Sequence, residues 1–378
     1  MNIRSTLLLR QLQWLVRHEW FLGISFLTCL VFILQGPALF GWLSNPLVLS
    51  FVFLWLFAAV LGSALAVVRH ADQLAIRLGE PYGTLILTLA VTAIEVMSIT
   101  AITVHGHSDA TLTRDTLFSV VMIILNGMVG LSLLLGAWRH GEQQYNLQGA
   151  NTYLGLIIPF AVLSLILPNF TQTTLGPTIS PRQSTFLIVM VSGLYVAFLA
   201  VQTSVHRHYF VLGDEPHPAH SGSVDPHLPP LAWHTALLAL YMLPVVFLAE
   251  QLARPIDYLI ETVHAPEAIG GMTIALLVAT PEAIGAVRAA LVNDQQRAMN
   301  IFLGSVLATI GLTVPAMLAV SLVTGQSIVL GLQNTDFVML LLTLGVSVVT
   351  FASGRTNVLQ GMVHLLLFVA YLFLIFER

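Results

Sequence analysis

The sequence predicts an all-α membrane protein of about eleven transmembrane helices, in which two inverted five-helix repeats follow one extra N-terminal helix. Three observations predict it. The 378-residue chain is 57% hydrophobic and only 8% charged, which gives more apolar surface than a soluble domain can hide. The apolar residues fall into runs long enough to cross a hydrocarbon layer of about 30 Å, which takes about 20 helical residues. Two of those runs also carry a glutamate twelve positions after a glycine, Gly83 to Glu95 and Gly270 to Glu282.

The expected spans lie near residues 21–40, 47–68, 83–104, 116–137, 151–167, 184–203, 232–250, 267–288, 299–323, 336–352 and 358–376. The first has arginines before it but lacks a small-residue cleavage site, so it reads as a retained span rather than a signal peptide. With the N-terminus inside, Arg4, Arg10, Arg17, Arg69, Arg77, Arg139, Arg207, Arg288, Arg297 and Arg355 are cytoplasmic. Only Arg114, Arg182, Arg254 and Arg378 then fall outside. Reversing the chain would invert the asymmetry that the positive-inside rule requires, so a cytoplasmic N-terminus is expected.

Composition excludes several functions. All fourteen basic residues are arginine, which removes Walker A phosphate binding, Schiff-base cofactors and lysine general bases. ATP-driven pumping within this chain is thereby excluded. The lone Cys29 permits no intramolecular disulfide and no multi-cysteine zinc site. A net charge of −4 confined to short loops gives no reason to expect nucleic acid.

Weak matches at equal spacing suggest the repeat. Asp72 to Pro81 and Asp257 to Pro266 share Asp, Leu and Pro, and each segment leads into a glutamate helix. Arg114 and Arg297 open the next spans, and the same offset pairs Asn126 with Thr309. The expected division is residues 1–46 for the N-terminal segment and first helix, 47–203 for the first repeat, 204–231 for a cytoplasmic His/Pro-rich linker and 232–378 for the second repeat. Five is odd, so the halves enter the membrane from opposite sides, the plan of many secondary transporters with a midplane site.

The chemistry centres on Glu95 and Glu282. A carboxylate in the bilayer interior costs several kcal/mol, so such residues line a pathway, bind an ion or titrate far more often than they serve as helix glue. Thr84, Thr88, Thr92 and Ser98 put hydroxyls on the Glu95 face of its helix; the bland alternative is back-bonding to carbonyls one turn earlier. In the other helix Pro281 frees the carbonyl of Leu277, and Thr280 adds a hydroxyl. Two carboxylates with carbonyl, hydroxyl and water oxygens suit hard cations, calcium above all, with sodium or potassium using a subset. Glu95 and Glu282 are therefore the expected metal-binding pair. Repulsion and low dielectric disfavour two bare carboxylates, so protons occupy an empty site and compete with the cation. If only filled or neutralised states change access, competition becomes antiport.

These residues resemble the calcium/cation antiporter superfamily, and within it the ChaA-type cation/proton antiporters. The stretches that carry the resemblance are Gly79 to Leu89, Ala279-Thr-Pro-Glu-Ala-Ile-Gly285 and Arg139-His-Gly-Glu-Gln-Gln-Tyr145. The resemblance implies Glu95 and Glu282 as the essential acids, polar ligands from Thr92 and Thr280, and further ligands from Asn126 and Thr309 on the following helices. It implies export of Ca2+, Na+ or K+ in exchange for H+ across a bacterial inner membrane, with no cofactor beyond the transported ions. Val91-Thr92 and Val278-Ala279 replace the Gly-Asn found in calcium/proton exchangers, which leaves room for monovalent ions.

A cation channel is the first rival; it predicts conduction uncoupled from pH gradients. An intramembrane enzyme with paired carboxylates is the second, but the Gly-x-Ser-x-Gly, His-Glu-x-x-His and paired Gly-x-Gly-Asp patterns are absent. The chain is therefore expected not to be an enzyme. The linker histidines His206, His208, His217, His220 and His227 fit no standard ligand spacing. His105, His107 and Asp109 read as an outer loop, and Arg139, His140 and Glu142 as a charged helix-end cluster.

Overall fold

A computed structural model describes residues 19–78, 82–105, 110–174, 176–212 and 231–377. Eleven helices account for nearly all of them. They are α1 (Trp20–Phe40), α2 (Pro46–Leu78), α3 (Tyr82–His105), α4 (Leu112–His140), α5 (Leu147–Asn169), α6 (Pro181–Ser204), α7 (Leu231–Glu261), α8 (Ala268–Leu291), α9 (Gln295–Thr324), α10 (Asn334–Phe351) and α11 (Val358–Phe376). Ten are long and apolar enough to cross a membrane, and α3 adds the apolar stretch Thr88–Thr103. The described residues contain no named β-strand, only the isolated bridges Gln144–Arg355 and Thr178–Val329.

Local chemistry sets many helix ends. Asn146 accepts the amide of Gln148 to start α5, and Asp294 accepts that of Arg297 to start α9. Ser180 with Gln183 and Asn357 with Gln360 form capping boxes at α6 and α11, each satisfying two otherwise orphaned amides. Gly325 ends α9 at φ 72°, a left-handed conformation that glycine adopts without a Cβ penalty.

Two helices run about ten residues beyond their apolar cores. The expected spans 47–68 and 232–250 become α2 through Leu78 and α7 through Glu261. The extra turns, which carry Asp72 and Asp257, are polar and amphipathic, so a hydropathy reading ends too early there. α2 and α7 also pack extensively against each other, with α1 against both.

Helices α4 and α9 form the centre. In α4, 83% of the most apolar window is buried, and in α9 61%, against 28% in α6 and α11, which therefore face outward. α4 packs on α8 and α11, while α9 packs on α3 and α6. Both central helices contain a wide π-turn, Ile123–Met128 in α4 and Thr309–Thr313 in α9. For α9 the cause is legible: Pro315 has no N–H to donate to the carbonyl of Gly311, which lies inside that turn. Such turns often mark functional positions because they re-aim side chains.

Candidate cation site

The two glutamates reach one helix. Glu95 of α3 is fully buried, and its Oε2 accepts a hydrogen bond from Thr309 Oγ1 of α9 at 3.1 Å. Glu282 of α8 accepts through Oε2 from Ser305 Oγ, also of α9, at 2.5 Å. Ser305 and Thr309 are four residues apart, so they share one face of α9. The two carboxylates therefore converge on that face, and Glu282 feels the charge of Glu95.

The site has an under-satisfied oxygen. Glu95 Oε1 is buried with no well-formed hydrogen bond among the described residues, and the hydroxyl of Thr313, one turn along α9, stands beside the same carboxylate. An unpaired carboxylate oxygen in a dry site is costly. A hard cation held by carboxylate and hydroxyl oxygens, or a proton on the carboxylate, would satisfy it.

A cavity of about 460 Å³ leads to this point. Thr92, Glu282, Ser305 and Thr309 lie along it with Thr88, while Tyr153, Tyr195, Gln202 and Asn300 line its walls. Its mouth carries Asp72, Arg207 and Arg297. Glu95 sits behind Thr92 and Thr309 and does not itself line the cavity. At the opposite end of the bundle the corresponding space is a void of about 30 Å³ between α3, α4, α7 and α8.

The structure brings together Glu95, Glu282, Thr92 and Thr309, but not the other expected ligands. The hydroxyl of Thr280 donates to the carbonyl of Leu276 at 2.5 Å, the ordinary back-bond of a membrane helix. Leu277 is buried away from the cavity, and α8 runs on through Pro281. Asn126 lies in the α4 π-turn and faces α10 and α11: its amide donates to Thr343 Oγ1 at 2.9 Å, and its Oδ1 lies 3.4 Å from His364 Nδ1. Of the hydroxyl stripe, Thr88 and Thr92 line the cavity and Ser98 is buried; the side chain of Thr84 lies outside the described residues.

Ser305 and Thr313 escaped sequence reading. The signal was available, since they flank Thr309 at four-residue spacing on the same helix. His107 and Asp109 lie outside the described residues, as does linker segment 213–230 with His217, His220 and His227. The linker's start is described: Phe210 is buried against Tyr153 and Phe198, and Arg207 reaches the cavity mouth. The helix-end cluster is structural in its contacts. His140 Nε2 lies 2.9 Å from the carbonyl of Leu291, and Glu142 pairs with Arg355 at 3.5 Å with both side chains largely exposed.

Two buried carboxylates beside an internal cavity, inside a bundle of membrane-crossing helices, suit the handling of a cation. The chain belongs to the family described as sodium/calcium exchanger protein, whose model matches residues 48–204 and 233–377, and so to the calcium/cation antiporter superfamily that its motifs resemble. It is 40% identical over 358 residues to the sodium-potassium/proton antiporter ChaA of Escherichia coli (strain K12), covering 92% of this chain and 96% of that one. It is 22% identical over 303 residues to the Ca(2+)/H(+) antiporter ChaA of Bacillus subtilis (strain 168), covering 78% and 82%. Among solved structures, native YfkE superposes with a TM-score of 0.72 at 20% identity, over 95% of this chain and all of that one.

Proposed function

We propose that this chain is a secondary-active antiporter that exports Na+, K+ or Ca2+ in exchange for protons, with Glu95 and Glu282 as a shared cation and proton site. The observation that carries this reading is the convergence of both carboxylates on hydroxyls one turn apart on α9, beside a cavity that ends there. Protons and a cation then compete for the same oxygens, which is what couples their movements. The name of the 40% identical relative supports monovalent cations, and that of the more distant one supports calcium. Near the carboxylates the side-chain ligands are hydroxyls, because the amide of Asn126 is turned away.

Two inverted halves, 47–203 and 232–376, fit the same reading. Helix pairings recur when the halves are exchanged: α4 with α8 answers α9 with α3, and α4 with α11 answers α9 with α6. The cavity opens on the side of Arg69, Arg77, Arg139, Arg207, Arg288 and Arg297, the expected cytoplasmic face of an inner membrane.

The test is collapse of a preformed pH gradient in inverted membrane vesicles, with sodium, potassium, calcium and magnesium added separately. Antiport predicts proton movement evoked by at least one of the first three. No cation-evoked movement from vesicles that hold their gradient would end the proposal.

A further inference from the structure

The mouth of the cavity is charged in an unexpected sense for a cation pathway. Its described ionisable side chains are Asp72 on α2, Arg207 in the short 3-10 turn after α6, and Arg297 in the first turn of α9. All three are solvent-exposed, and Asp72 lies within electrostatic reach of Arg297. Among the described residues at the mouth, two positive charges stand against one negative, with Glu282 deeper in the cavity. Arg297 and Ser305 lie eight residues apart on α9, so the arginine stands about 12 Å along the helix from the carboxylate site.

We propose that Arg207 and Arg297 form an electrostatic filter at the cavity mouth that disfavours divalent cations relative to monovalent ones, with Asp72 as its counterweight. This rests on the antiport reading of the cavity and adds what selects its cargo. A positive potential raises the free energy of a divalent ion twice as much as that of a monovalent one, so it lowers the local concentration of calcium more steeply than that of sodium. One charge acting over about 12 Å, between aqueous and interfacial dielectric values, separates the two ions by about two- to tenfold. The carboxylates hold the ion; the arginines bias which ion reaches them.

The two signs of charge at the mouth make the filter testable. Efficiencies of calcium-evoked and sodium-evoked proton movement are compared in inverted vesicles, and calcium and sodium binding to the purified full chain is titrated in parallel. Arg297→Gln and Arg207→Gln should each raise the calcium-to-sodium ratio by about two- to tenfold, Asp72→Asn should lower it, and Arg297→Lys should keep it. Raising choline chloride from about 0.01 M to about 1 M, which shortens the Debye length from about 30 Å to about 3 Å, should erase the differences. Ratios that do not move, that move the same way in Arg297→Gln and Asp72→Asn, or that ignore salt would overturn the filter. If the wild type evokes no proton movement while the binding ratios still shift as stated, the antiport reading fails and the filter stands.

Discussion

The two ends of the bundle are built from paired sequence features and treat them in opposite ways. Arg297 stands exposed at an open mouth, while Arg114, its counterpart by spacing, is 4% exposed and bonds Asp115 Oδ1 through Nε at 2.7 Å. Asp72 is exposed beside the cavity, whereas Asp257 is half-buried at the small void. A closed end needs its charges paired, because burying them alone is expensive; an open end can leave them in water. The difference bears on access: the described cavity opens toward the arginine-rich face, and the pocket described at the other end is small.

The largest effects should come where the two ends meet. On the proposed site, Glu95→Gln and Glu282→Gln should each reduce cation-evoked proton exchange by about 100-fold or more, since each removes a carboxylate charge that the proposal gives to cation and proton in turn. Normal elution of both variants in detergent would separate this from misfolding. Full exchange by either would remove that residue from the site.

Ser305→Ala should follow, because it deletes a hydrogen bond to a carboxylate, a loss of about 1.5–3 kcal/mol or about 10- to 100-fold in apparent cation affinity. Thr280→Ala should stay within about twofold, since its hydroxyl bonds only the carbonyl of Leu276. Equal losses in the two variants would break the distinction between a hydroxyl at the site and one used within its own helix.

The contrast between the two ends can also be tested with two glycines of α8. A Cβ on Gly271, at the closed end, would lie 2.5 Å from the backbone carbon of Asp115, whereas one on Gly285, beside the cavity, would meet nothing closer than Ile301 Cδ1 at 3.6 Å. Gly271→Ala should therefore destabilise the protein by about 1–3 kcal/mol through overpacking. Gly285→Ala should be neutral or add up to about 1 kcal/mol from its helical preference. Thermal melting in detergent reads both.

Smaller in functional effect, but informative about access, is cysteine labelling. Thr203 lines the cavity and Thr103 the closed void, and the native Cys29 is buried. Thr203→Cys should react with an impermeant maleimide in inverted vesicles, and Thr103→Cys should resist it in right-side-out ones. The reverse pattern would mean that the open end faces outward.

Much of this was legible in the sequence, for physical reasons that differ by element. Membrane spans announce themselves because lipid demands continuous apolar surface, and Glu95 and Glu282 stand out because a carboxylate there is costly. The polar last turns of α2 and α7 were not legible, since their helicity comes from packing outside the apolar core. Thr309 was recovered through its spacing, but Ser305 and Thr313 depend on which face of α9 meets α3 and α8. Asn126 shows the limit of transferring a role by offset: both it and Thr309 sit in π-turns, yet its amide joins Thr343 and His364 of the neighbouring helices while Thr309 meets Glu95.

The central claim is that cation and proton compete for the carboxylates of Glu95 and Glu282. It is tested most directly by adding sodium, potassium or calcium to the purified protein in weakly buffered detergent solution and measuring the protons released. The wild type should release protons as the cation binds, its apparent affinity should fall as pH is lowered by up to about tenfold per unit for each proton displaced, and release should be absent in Glu95→Gln and Glu282→Gln. Cation binding by the wild type that releases no proton and keeps the same affinity as pH is lowered would contradict the account.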